Sequence, residues 1–130
     1  MSQSSQQQTL LHIGFHKTAT NFYQKKLYPK VANYRYIEQS QVNSLFFSNA
    51  FEFDEGKVSS FFENHDLPLI ICHEELSGNI HTGGLNGFLS SAVAQRLRIV
   101  FSKAKVVIFV RNQLDMIEAS YKQYVKGGGT

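Results

Sequence analysis

The chain has a single cysteine, Cys72, among 130 residues. One thiol excludes an internal disulfide, so we read a product of a reducing compartment. No stretch of about 18 apolar residues occurs, and no membrane span is expected. The opening MSQSSQQQ lacks the basic start and apolar run of a secretory leader. No block of lysine and arginine resembles a nucleic-acid arm, so nucleic acid is not an expected partner. Together these absences predict a soluble, cytoplasmic protein.

What is present supports a real core. Hydrophobic residues make up 42% of the chain and charged residues 18%, too apolar for a disordered protein. The net charge is +3 and the isoelectric point about 9.0, a mildly basic balance that suits an anionic ligand. The length fits one domain, 9–130, behind a Ser/Gln-rich tail, 1–8, expected to be disordered.

Four apolar or alternating runs read as strands: Thr9–Gly14 (TLLHIG), Tyr34–Ile37 (YRYI), Leu67–Cys72 (LPLIIC) and Lys105–Val110 (KVVIFV). The last is the clearest. Helices are expected from Thr20 to about Tyr28, where Pro29 suggests a stop, over Gly56–Asn64, from Phe88 onward and from Gln113. Leu85, Phe88, Leu89, Ala92, Val93, Leu97 and Val100 form one apolar stripe. Leu114, Ile117, Tyr121, Tyr124 and Val125 form another, beside a Glu118–Lys122 pair at helical spacing. Gly127–Gly129 would end that helix. Ser77–Gly87 reads as a glycine-rich loop. The phenylalanines between Gln41 and Phe53 are too dense for one helical face, and fit a lid, part of an acceptor pocket, or core.

Alternating strands and helices predict an α/β fold, a three-layer αβα arrangement with a mainly parallel sheet. Ligands in such sheets bind beyond the carboxyl ends of the strands. Three segments follow strands: GFHKTAT, HEELSG and RNQLD. One edge of the sheet would gather all three.

GFHKTAT has the form of an anion grip. Gly14 allows a turn, and Thr18 or Thr20 can cap the next helix. The first amides of that helix have no internal partner. Lys17 adds a full charge, worth about 4 kcal/mol against an opposite charge at 4 Å and an effective dielectric near 20. The helix-end field supplies roughly 0.3–1 kcal/mol. Taken alone, a capped helix beside a surface lysine explains the loop equally well.

"IGFHKTATNFYQ" resembles the 5′-phosphosulfate loop of sulfotransferases that use 3′-phosphoadenosine 5′-phosphosulfate (PAPS). Lys17, Thr18 and Thr20 match the family's P-K-[ST]-G-[ST]-[ST]-like turn. His16 stands for the usual proline, Ala19 for the glycine and Asn21 for the second hydroxyl. "KVVIFVRNQLDMIEASYKQY" resembles the same family's 3′-phosphate motif. There the resemblance implies phosphate binding by Arg111, whose forked donors suit phosphate, and by a serine on the following helix. Counting from Arg111, that serine position falls on Ala119, with Ser120 about 100° further round. Pairing of Arg111 with Asp115 is the plainer alternative.

The resemblance implies a P-loop-like sulfotransferase core, shorter than usual at its carboxyl end, with PAPS as sulfuryl donor and no metal. Cofactor contacts would come from His16, Lys17, Thr18, Ala19, Thr20, Asn21, Arg111 and Ser120. Lys17 would meet the leaving phosphate oxygen. The base would come from HEELSG: Glu74 first by a rough register, then Glu75 and His73, each of which could instead cap a turn or pair with a cation. The acceptor would be a small molecule or carbohydrate bearing a hydroxyl or amine. Self-association is expected through an apolar face left by the short form. The alternative is a non-catalytic module that holds PAPS or adenosine 3′,5′-bisphosphate, or an inactive truncated fragment. A kinase relative is disfavoured by the missing Walker glycine and metal carboxylates. His65, His73 and His81 fit no zinc spacing, and His12 is expected to pack within the first strand.

Overall fold

The structure is a computed structural model that describes residues 8–63, 65–78 and 88–129. Most of the polar tail, His81, Leu85 and most of the glycine-rich loop lie outside the described residues. The sheet has four parallel strands: β1 (Leu10–Ile13), β2 (Arg35–Ile37), β3 (Leu69–His73) and β4 (Lys105–Val107). Their order is β2-β3-β1-β4. The chain leaves β1 toward β2 on one side and leaves β3 toward β4 on the other. The direction of travel therefore reverses at the β1–β3 pair, where such sheets leave a crevice at the strand ends.

Alternation along the strands feeds two cores. On one face, Leu11, Ile37, Leu69 and Ile71 pack with Val42 and Phe46 of α2 (Gln39–Phe46), Val58 and Phe62 of α3 (Glu55–Glu63), and Val93 and Leu97 of α4 (Phe88–Val100). On the other, Ile70 and Cys72 pack with Tyr28, flanked by Leu10, Tyr23 and Tyr36. Helical segments pack on both faces, which is compatible with a three-layer αβα arrangement. Each fully buried side chain of Phe or Ile size contributes about 1.5–3 kcal/mol. Most of the phenylalanine-rich stretch is core: Phe46 is fully buried, and Phe47 and Phe53 pack against it, whereas Phe51 is exposed. Arg96 ties that stretch down, donating to the carbonyls of Phe46 (2.6 Å) and Ser48 (2.7 Å) and lying over the Phe53 ring.

Several elements differ from the sequence reading. A helix, α2, forms over Gln39–Phe46, where the density of phenylalanines argued against a single helical face. The first helix does not stop before Pro29. It begins as α1 (Thr20–Phe22), widens into a π-turn over Tyr23–Leu27 and closes as a 3-10 turn over Tyr28–Lys30. Pro29 is tolerated because it sits in the first turn of that last segment, where its missing N–H is not needed. The Tyr28 ring is also held in the core against His12, Tyr23 and Tyr36. The run KVVIFV is a strand only as far as Val107. It is the clearest strand by composition, but β4 has a described neighbour on one side only, and Val106, Ile108 and Val110 are exposed.

The last helix, α5 (Gln113–Lys126), is capped by Asn112, whose Oδ1 accepts from the Leu114 amide. Its stripe of Leu114, Ile117, Tyr121, Tyr124 and Val125 is exposed rather than buried. Gly127 caps its end, and Gly128 adopts φ +90°. Among the described residues no helix is long and apolar enough to cross a membrane.

Candidate anion-binding site

The loop after β1 is braced on both sides by the other strand ends. From β3, the Ser77 hydroxyl donates to the Gly14 carbonyl (2.9 Å), and His16 Nε2 donates to the Gly78 carbonyl (2.9 Å). From β4, Arg111 Nη1 donates to the Lys17 carbonyl (3.2 Å). The three segments that follow strands thus meet, as the parallel topology requires. Arg111 joins the loop and forms no ion pair with Asp115 among the described residues.

Within the loop, Gly14 is needed for space rather than for a turn angle. A Cβ there would lie 2.8 Å from Thr20 Oγ1 and 3.7 Å from the Glu74 Cα. The turn itself is made at Lys17 (φ 66°) and Ala19 (φ 61°). Left-handed backbone at a residue with a Cβ costs about 1–2 kcal/mol. Ala19 carries that cost where the resembling loops have glycine. Successive amides in such turns form the concave nests that bind anions. Thr18 donates to the Phe15 carbonyl (2.6 Å), so its hydroxyl already holds the loop. Thr20 is buried, and its Oγ1 has no partner. Ala19 and Asn21 are exposed.

The end of β3 delivers three candidate bases in different states. His73 is 4% exposed and pairs in register with Ile13. The Glu75 amide donates to its Nδ1 (3.1 Å). The neutral ring therefore carries its proton on Nε2, so that nitrogen is a donor and not a base. Burial lowers the His73 pKa; nearby Glu75 opposes this and His16 adds to it. Glu74 and Glu75 are half-buried, and Glu74 has its backbone against Gly14. Glu74 thus follows β3 directly beside the start of the loop, and His73 pairs with Ile13 just before it.

On the sheet face behind the loop lies a buried polar cluster that sequence reasoning missed. His12 Nδ1 is hydrogen-bonded to the Tyr28 hydroxyl (2.9 Å) and lies 3.3 Å from Cys72 Sγ. Its ring is boxed edge-on by Tyr23, Tyr28 and Phe109. Gln24 Nε2 donates to the Cys72 carbonyl (3.0 Å). Burial lowers the His12 pKa. Burial first, then Glu74, pushes the Cys72 thiol up to about 12. The apolar spacing of TLLHIG placed His12 inside, but no local signal pairs it with Tyr28 or Cys72.

Ser120 makes no hydrogen bond to the loop. Its hydroxyl donates to the Met116 carbonyl one turn back (2.8 Å). Ala119 instead lines a hollow of about 560 Å³ between Lys17 and α5. A larger hollow, about 810 Å³, opens at the opposite end of the sheet beside Thr9, Pro68 and Ala104, away from all three strand-end segments. The smaller hollow adjoins Lys17, and the larger adjoins none of the predicted site residues. Among the described residues no three His, Cys, Asp or Glu side chains gather as a metal site. No family model, curated protein or solved structure matches the chain.

Proposed function

We propose that the protein is a sulfotransferase that moves a sulfuryl group from PAPS to a hydroxyl or amine of a small-molecule or carbohydrate acceptor. One observation carries this reading. The lysine loop, the Glu74 turn and Arg111 share one strand edge, and Arg111 is hydrogen-bonded to the backbone of Lys17. An ATP-type loop has no need of a second cationic anchor beyond the neighbouring strand β4; a nucleotide with phosphates at both 3′ and 5′ positions does.

The residues present suit such a ligand. Thr20 offers a hydroxyl with no partner inside the protein. Lys17 offers a compact charge, and Arg111 retains further guanidinium donors beyond its one bond to the loop. When bound, PAPS supplies an activated, anionic sulfuryl group. Lys17 then stabilises the charge that grows on the 5′-phosphate oxygen as its bond to sulfur breaks. Glu74 takes the proton of the acceptor as the new bond to sulfur forms. The loop and Arg111 hold the two phosphates so that attack is in line. His73 Nε2–H is suited to donating a hydrogen bond rather than to removing a proton.

The test has two stages. Calorimetry with adenosine 3′,5′-bisphosphate, beside AMP and ATP, reads the ligand. The 3′-phosphorylated nucleotide should bind more tightly than AMP, and Arg111→Ala should erase most of that preference. Transfer of ³⁵S from PAPS to a panel of alcohols, phenols, amines and sugars reads catalysis, and Lys17→Ala should reduce it by orders of magnitude. Absence of any 3′-phosphate preference would sink the proposal. Preference without transfer to any acceptor would leave a nucleotide-holding module.

A further inference from the structure

The hollow between Lys17 and α5 carries more positive charge than the loop alone explains. Its lining includes Lys17, Ala119, Lys122 and Lys126. Residues 119, 122 and 126 stand three and four apart, so they share one side of α5. Ala119 brings no polar group to that side, and Ser120 is turned back onto Met116. The two lysines therefore supply the charge that this side of the helix presents. The helix contributes nothing itself, since its carboxyl-terminal field disfavours an anion.

Lys122 is not idle. Its Nζ donates to Glu118 Oε1, the ion pair formed among the described residues. Both side chains are well exposed, at 71% and 64%, so water and ligands can exchange with the pair. The Glu118 carboxyl is held below its ordinary range by Lys122 first and more weakly by Arg111. One carboxylate thus lies within the field of two cations that both stand at the candidate site.

We propose that Lys122 is a phosphate-holding residue of this hollow and that Glu118 is an internal anion competing with the ligand for it. The ligand's identity as a 3′-phosphorylated nucleotide rests on the proposed function. Binding exchanges the Lys122–Glu118 contact for Lys122–phosphate, with no covalent change. Lys126 adds charge on the same side. Exposed ion pairs are weak, so Glu118 moderates affinity rather than blocking the site.

The experiment measures binding of adenosine 3′,5′-bisphosphate, AMP and pyrophosphate by calorimetry at fixed ionic strength. The proteins are the wild type, Glu118→Gln, Lys122→Ala and the double variant. Glu118→Gln should tighten the bisphosphate by about two- to fivefold, and Lys122→Ala should weaken it by about tenfold. AMP should move less in both. In the Lys122→Ala background the gain from Glu118→Gln should disappear, which separates competition for Lys122 from simple repulsion of the ligand by Glu118. Melting curves confirm that each variant folds. If wild type prefers the bisphosphate but the variants leave it unchanged, or the Glu118→Gln gain persists without Lys122, this inference falls and the sulfotransferase reading stands. If wild type shows no such preference, that reading falls and pyrophosphate decides the inference: opposite shifts in the two single variants support it, and equal or absent shifts overturn it.

Discussion

Thr20→Val should make the protein more stable and a poorer binder. Thr20 is 3% exposed and its Oγ1 has no hydrogen-bond partner. A buried unpaired hydroxyl costs about 1–3 kcal/mol. Valine keeps the branched shape and the stiff χ1 and replaces the oxygen by a methyl group. The space exists because residue 14 is glycine, with no Cβ to meet Thr20 Oγ1 at 2.8 Å. Thr20 makes no side-chain cap, so no helix-end bond is lost. The expected gain is about 1 kcal/mol, at the low end of the range, since repacking absorbs part of it. Urea unfolding reads this as a shift of midpoint at constant slope. In the proposed site the same hydroxyl is the donor left for a phosphate oxygen. A hydrogen bond to a charged group is worth about 1.5–3 kcal/mol, so affinity for adenosine 3′,5′-bisphosphate should fall by about ten- to a hundredfold. A loss of stability of about 1 kcal/mol or more would show that the hydroxyl is paired in the native protein. Unchanged affinity would remove Thr20 from the site.

Stability should also fall on mild acidification. His12 and His73 have folded pKa values lowered by burial. The unfolded chain therefore binds more protons as pH drops below the ordinary histidine value of about 6.5. Their contribution is complete above that value and is lost as pH falls toward their lowered folded values, with a limiting slope of about 1.4 kcal/mol per pH unit for each ring. Urea midpoints that agree at pH 7.5 and pH 5.5 would contradict both burial assignments. Cys72 should resist thiol reagents in the native protein, because its thiol is buried and pushed up to about 12. Against the unfolded chain at pH 8, labelling should slow on the order of a thousandfold. Equal rates in buffer and in urea would place the thiol at the surface.

Much of this arrangement is legible in single segments. TLLHIG and LPLIIC are continuous apolar runs, and both became strands of the buried sheet because a parallel strand covered on both faces tolerates little else. Helix periodicity placed Val93 and Leu97 in the core for the same reason. KVVIFV shows the limit. It is the clearest strand by composition, but strand length depends on which neighbours pair with it, and those are not encoded locally. Pro29 likewise signals a helix end by local sterics, and the anchoring of the Tyr28 ring overrode it.

The sequence by itself determined the alternation of strands and helices, the loop chemistry around Lys17 and the place of Arg111 between the last strand and the last helix. All three follow from residue type and spacing, which act over a few residues. Only the tertiary structure decided that β1 lies between β3 and β4, and hence that Arg111 reaches the Lys17 carbonyl across 94 positions of chain. It also decided that His73 Nδ1 accepts from the Glu75 amide, that the Ser120 hydroxyl bonds back to Met116, and that Ala119, Lys122 and Lys126 line a hollow with Lys17. Such pairings depend on which strand ends meet and on how a helix is rotated about its axis, and one residue of rotation changes the partner.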